Sequence, residues 1–140
     1  MLVDVHNDRT IQRWMDKVKS GETIGVVALE AGQMVGYCNL RTNDLPWIRD
    51  VGEIRVCVSP THRGQGIGRI LAGKMFSIAR ARGLQKLWAR MAISQEASQV
   101  VFQNLGFRTE ALLSGFVKNE NGLTEDLVIM SHDSRELWSF

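Results

Sequence analysis

A chain of 140 residues is long enough for one domain with a real core and too short for two comfortable ones. Its 44% apolar and 23% charged residues are those of an ordinary folded globular protein. The formal net charge is only +2 and no extended Lys/Arg block occurs, which argues against nucleic acid as the partner, because such proteins display a dense basic face.

The first ten residues, "MLVDVHNDRT", carry charge early and lack the apolar segment of a signal peptide. Apolar runs reach only about six residues, far below the roughly 20 that a membrane helix needs. Cys38 and Cys57 lie inside apolar runs, with no Cys/His spacing that reads as zinc. They are expected to be buried reduced thiols, and the whole is expected to be a soluble cytoplasmic domain without a metal or a membrane partner.

Along the chain, Ile11, Trp14, Met15 and Val18 form the stripe of an amphipathic helix, with Asn7 or Asp8 as its cap and Gly21 at its end. "TIGVVALE" and "MVGYCNL" flank Ala31-Gly32-Gln33 as a β-hairpin. "NDLPW" is a loop, punctuated by Asn43-Asp44 and Pro46. "EIRVCVS" alternates strictly, with Ile54, Val56 and Val58 on one face and Arg55 and Cys57 on the other, and Pro60 closes it. Ile67, Ile70, Leu71, Met75, Ile78 and Ala79 trace a second helix, ended by Gly83. "QKLWARM" reads as a strand, and Ala97, Val100, Val101 and Leu105 as a third helix, ended by Gly106. Two strands, "FRTEALLSGFVK" and "EDLVIMS", close the order around the turn Asn119–Gly122. No repeat or linker interrupts it, so a single mixed α/β domain over 1–140 is expected.

Between the strand at Val58 and the second helix lies "SPTHRGQGIGR", with Gly64, Gly66 and Gly68 at its end. A helix N-terminus leaves backbone N–H groups unbonded and carries a partial positive charge, and glycine lets an anion approach that backbone closely. Arg63 and Arg69 add bidentate donors, so the stretch suits a diphosphate. A dinucleotide loop would read G-x-G-x-x-G with an acidic residue about twenty positions on, and "GLQKLWAR" holds no acid. A P-loop would end in G-K-[ST], whereas Gly68 is followed by Arg69-Ile70. A glycine-rich helix start with no ligand remains the plain alternative.

"VSPTHRGQGIGRIL" resembles the acyl-CoA signature of the GNAT N-acetyltransferase superfamily, [RQ]-x-x-G-x-[GA] after a strand ending V-x-P, with Arg63, Gly66 and Gly68 on the signature positions. "QEASQVVFQNLGF" is similar to that family's later motif, N-x-x-A-x-x-L-Y-x-x-x-G-F, and together the resemblance covers about residues 25–133. The resemblance implies a mixed, mostly antiparallel sheet whose central strands splay apart, flanked by helices. It implies acyl transfer from acetyl-CoA to an amine of a small molecule or a protein, by direct transfer in a ternary complex. The pantetheine arm would bond to the backbone of Val56, Cys57 and Val58, and the pyrophosphate would sit on the amides of Arg63, Gly64, Gln65, Gly66, Ile67, Gly68 and Arg69. Gln95, Ser98 and Phe102 of the second motif would complete the cofactor side.

Three departures from the family pattern matter. Phe102 stands where many members carry the tyrosine that protonates the leaving thiolate, and Gln95 replaces the asparagine; Ser94, Ser98 and Tyr37 are the other hydroxyls in view. A thiol of pKa about 8.5 is already a fair leaving group near neutrality, so the loss is bearable. For the base, Glu53 at the start of the strand is the candidate, since an amine of pKa about 10.4 is almost wholly protonated at pH 7; alternation turns it to the face opposite Val58. A backbone N–H near Cys57 could polarise the thioester carbonyl without any side chain. The residues before the hairpin are too few for the family's usual strand and two helices, so the N-terminal strand and helix are read as shortened. Trp138 and Phe140 are aromatics free to pack on the body or across a homodimer. A non-catalytic acyl-CoA-binding module is the second reading.

Overall fold

The computed structural model describes residues 23–133. The helix expected over Ile11–Val18 with its caps, the shortened N-terminal segment, and Trp138 and Phe140 therefore lie outside the described residues. Strands β1 (Thr23–Glu30) and β2 (Gln33–Arg41) form the expected antiparallel hairpin. Its turn has positive φ at Ala31 (50°) and Gly32 (81°), the pairing of a type I′ hairpin turn, whose twist matches the strands it joins. The loop that follows is started by Asn43, whose Oδ1 accepts the Leu45 N–H at 2.9 Å.

Strand β3 (Val51–Val58) lies antiparallel to β2 and begins two residues before the expected "EIRVCVS". A 3-10 turn (Pro60–His62) leads to helix α1 (Ile67–Ala81). Then come β4 (Lys86–Ala92), helix α2 (Glu96–Asn104), β5 (Arg108–Lys118) and β6 (Thr124–Asp133). The six strands make one sheet in the order β1-β2-β3-β4-β6-β5, antiparallel except for β3 beside β4.

Helix α1 buries Leu71, Ala72, Met75, Phe76 and Ala79 in a core shared with Cys38 and Leu40 of β2, Ile54 of β3, and Leu87, Ala89 and Met91 of β4. At 100° per residue this buried arc centres near Met75 and Ala79, which puts Ile70 on roughly the opposite side. Ile70 is indeed exposed, as is Val100 on α2, so neither belongs to the core stripe that periodicity suggested. In α2 the buried residue is Phe102, and Val100 lies about 160° round the helix from it. Phe102 meets the Phe107 ring edge-on at 4.9 Å, and Phe107 in turn stacks on Phe76 at 5.8 Å. This aromatic contact fixes α2 to α1, so both helices cover the same face of the sheet.

Gly52 marks the point where β3 and β4 meet. A Cβ there would lie 2.7 Å from Leu40 Cδ1, 2.9 Å from Leu84 Cδ1 and 3.3 Å from Leu87 Cδ2. Gly52→Val is therefore expected to destabilise the fold by about 1–3 kcal/mol through overpacking, read as a lower midpoint in urea at unchanged slope.

Candidate functional site

The site begins where the sheet comes apart. Strands β3 and β4 pair only at Val51–Lys86, Gly52–Leu87 and Glu53–Trp88, and then both run on without pairing, to Val58 and Ala92. Two bonds fix which backbone groups border the gap. The Ser59 N–H donates to the Val35 carbonyl at 2.8 Å, and the Lys86 N–H donates to the Asp50 carbonyl at 3.3 Å. Backbone direction alternates along a strand, so Glu53, Arg55 and Cys57 turn their N–H and C=O toward β2. Gly52, Ile54, Val56 and Val58 turn theirs toward β4. Beyond the last pair, Val56 and Val58 thus present a bare strand edge to the gap. The Cys57 backbone does not, since its N–H belongs to the β2 ladder, so the backbone N–H groups near Cys57 that border the gap are those of Val56 and Val58.

On the other side of the gap the end of β4 closes itself at Ala92. The Ala92 N–H donates to Gln95 Oε1 at 2.9 Å, and the Gln95 N–H donates to the Ala92 carbonyl at 2.9 Å. Gln95 therefore ends the strand and starts α2 rather than reaching across. Ser98 is half-buried on α2, and the Phe102 ring is directed into the aromatic core.

At the far end of β3 the chain turns into α1. Gly64 and Gly66 have φ of 78° and 79°, a left-handed region where other residues are strained by roughly 1–2 kcal/mol. A Cβ at either would meet nothing within 4 Å, so this backbone faces open space. Gly66 caps α1 with no side-chain bond, and no acidic residue stands in the first turn. The first N–H groups of the helix are left for an external acceptor, and the helix dipole favours an anion there. Gly68 has an ordinary φ, and a Cβ on it would make ordinary van der Waals contact, 3.5 Å from Val56 Cγ1 and Val58 Cγ2, where α1 packs on β3. Arg63, Gln65 and Arg69 surround the loop and are exposed, and neither arginine has an ion pair among the described residues.

The approach to this loop is tied down by a hydrogen-bonded chain. Ser59 Oγ meets Thr61 Oγ1 at 3.1 Å, Thr61 Oγ1 meets His62 Nδ1 at 2.9 Å, and His62 Nε2 pairs with the Glu30 carboxylate at the end of β1. Sequence reasoning missed Glu30, because nothing local links a hairpin glutamate to a histidine 32 residues on.

The sheet face opposite the helices carries the charged groups. Glu53 Oε1 lies 2.8 Å from Arg90 Nε across the mouth of the gap, and the Arg90 guanidinium sits 5.6 Å from the Trp88 ring centroid. Arg90 was not anticipated, although alternation in "QKLWARM" sets it on the same side as Trp88. Tyr37 and Cys57 share that face as cross-strand partners. Burial, then the neighbouring Cys57 thiol, pushes the Tyr37 phenol up to about 12. Burial alone raises Cys38 to about 12, and both cysteines are free, with Cys57 only half-buried. Among the described residues no cluster of His, Cys, Asp or Glu could hold a metal ion, and no helix is long and apolar enough to cross a membrane.

Tyr37 is the only tyrosine of the chain, so tyrosinate absorbance reports it alone. Its folded pKa of about 12 lies above the unfolded value near 10, so this group costs no stability below pH 10 and destabilises the fold as pH rises from 10 toward 12. The expected titration shows no tyrosinate in the native protein at pH 10.5; a midpoint near 10 before unfolding contradicts the burial assigned to the ring.

Residues 3–107 match the family described as "Acetyltransferase (GNAT) family". The [ribosomal protein bS18]-alanine N-acetyltransferase of Haemophilus influenzae is 23% identical over 103 residues, covering 74% of this chain and 67% of that protein. The curated relatives are matched over 35–67% of their own length. Among solved structures, ribosomal-protein-alanine N-acetyltransferase from Brucella melitensis superposes with a TM-score of 0.81 at 27% identity, over 95% of this chain and 80% of that one. The putative acetyltransferase yncA from Salmonella typhimurium, solved with its cofactor acetyl-CoA, superposes with a TM-score of 0.80 at 26% identity, over 89% of this chain and 73% of that one.

Proposed function

Because the chain belongs to the acetyltransferase (GNAT) family, we propose that its splayed strands and uncapped helix bind acetyl-CoA and deliver the acetyl group directly to an amine, within a single domain. One observation carries this reading: a bare strand edge at Val56 and Val58 runs into an uncapped helix N-terminus whose two left-handed glycines face open space. A long polar arm ending in a diphosphate needs that combination, with paired amide groups along its length and a concentration of N–H donors at its charged end. The site residues follow from it. Val56 and Val58 would hold the arm by their backbone, and residues 63–69 would hold the pyrophosphate, with Arg63 and Arg69 as charged flanks. The structure of yncA with acetyl-CoA supports this fit.

Acetyl-CoA supplies an activated thioester, whose carbonyl becomes more negative as an amine attacks. The N–H groups of Val56 and Val58 are the fixed donors at the gap, and such preorganised donors are worth about 10²–10³ in rate. The amine must first lose a proton, and Glu53 is the carboxylate at the mouth of the gap that can take it, directly or through water. Phe102 can donate nothing, so the departing thiolate is protonated by water. The second reading, a binding module without turnover, draws on this buried phenylalanine; a screen of amines with acetyl-CoA separates the two. Two free thiols fit a reducing, cytoplasmic setting.

Gly66→Asp is the direct test of the phosphate loop. A carboxylate would stand where a pyrophosphate meets the helix N-terminus, in open space but at a left-handed φ that costs the fold about 1–2 kcal/mol. Titration calorimetry is expected to show acetyl-CoA and CoA bound by the native protein, with NAD and ATP excluded. In the variant the CoA affinity should fall at least tenfold, while the thermal transition drops by only about 3–7 °C from the strained φ and stays cooperative. Unchanged affinity in a folded variant contradicts the assignment.

A further inference from the structure

We infer that the acceptor is a small amine bearing a carboxylate close to its nitrogen, as a free amino acid does, with Arg90 holding the carboxylate and Glu53 the ammonium. This rests on the acetyl-transfer reading above and names the substrate class of that same gap. The two faces of the sheet divide the work. Both helices and the anion-binding loop lie on the Ile54 and Leu87 side, where Gly68 packs on Val56 and Val58. A second substrate therefore reaches the gap from the opposite side, the side of Glu53 and Arg90.

At that mouth the charges are specific. Glu53 and Arg90 stand side by side, joined by the 2.8 Å contact between Oε1 and Nε, and Arg90 is 43% exposed while Glu53 is 13% exposed. Glu53 engages the Nε edge of Arg90, and the outer fork of the exposed guanidinium is offered to a carboxylate in the geometry that arginine recognises. Trp88 beneath the guanidinium holds its plane in place. Arg41 is the cross-strand partner of Glu53, and Arg55 follows Glu53 on the same face. Neither has an ion pair among the described residues. Among the described residues at this mouth, three arginines stand against one glutamate, a balance that repels a polyamine and attracts an acceptor with an acidic group. An adjacent anion and cation are the complement of an ammonium beside a carboxylate, and neither group of the pair then needs a new partner deeper in the protein.

The transfer balances with these groups. Glu53 takes one proton from the ammonium, the freed nitrogen forms the bond to the acetyl carbon as the carbon–sulfur bond breaks, and the nitrogen sheds a second proton. The departing thiolate takes up one proton, so amide, CoA thiol and one proton in solution result.

The test is a panel of free amino acids, their carboxamides, alkylamines, spermidine and an alanyl peptide, assayed for CoA release with acetyl-CoA. Acetyl-CoA titration on each protein runs beside it. Free amino acids should exceed their carboxamides by at least tenfold in kcat/KM. R90Q should abolish that difference, chiefly through KM, with acetyl-CoA binding and the melting transition retained, and R90K should restore part of it. Equal or better turnover of carboxamides, spermidine or the alanyl peptide overturns the inference. So does a carboxylate preference that survives in R90Q, or a panel with no turnover in a protein that binds acetyl-CoA. Failure to bind acetyl-CoA at all instead removes the acetyl-transfer reading, and the inference falls with it.

Discussion

The structure depends on an interruption: among the described strands, the only parallel pairing stops after Glu53 and Trp88. Strand edges are templates for further pairing, and a buried amide left without a partner costs about 1–3 kcal/mol. Two adjacent strands that part company inside one sheet are therefore held apart by something. On the β4 side that is the Gln95 turn, which takes both the N–H and the carbonyl of Ala92. On the β3 side nothing in the described chain occupies the edge at Val56 and Val58. The gap is thus a break in the sheet with an unpaired edge on its β3 side, and the start of α1 lies at its end.

This division assigns binding to backbone and leaves side chains for selection. Val56 and Val58 use their side chains against α1 and their amides toward the gap, so the same residues serve core and site without conflict. Likewise the left-handed backbone at Gly64 and Gly66 exposes N–H groups that no side chain caps. The Phe102 ring joins Phe76 and Phe107 in fixing the helices. Electrostatic identity is confined to the opposite face, in Glu53, Arg90 and the arginines beside them.

Much of this was legible in the residues themselves. Alternation in "EIRVCVS" separated Val56 and Val58 from Glu53 and Cys57, and the glycine spacing located the start of α1. Three features were not legible, each for a physical reason. Ile70 and Val100 fit a helical stripe but lie outside the buried arc, because periodicity gives a face and only packing gives its centre. Gly68 looked equivalent to Gly64 and Gly66, yet its φ is ordinary and it faces Val56 and Val58 of β3 rather than open space. The phase of the hydrogen bonds, which turns Val56 and not Cys57 toward the gap, is set by the partner strand and leaves no trace in the side-chain pattern. The Glu53–Arg90 and Glu30–His62 pairs join residues 37 and 32 positions apart (90 − 53 and 62 − 30), beyond the reach of any local signal.

Amide hydrogen exchange resolved by residue, with and without acetyl-CoA, tests the central claim most directly. If the gap is filled by a ligand that bonds as a strand, protection should rise at Val56, Val58 and the first turn of α1. Cys57, already bonded to β2, should change little. Protection that rises at Cys57 instead, or that leaves Val56 and Val58 exchanging as before in a protein saturated with acetyl-CoA, would contradict the account.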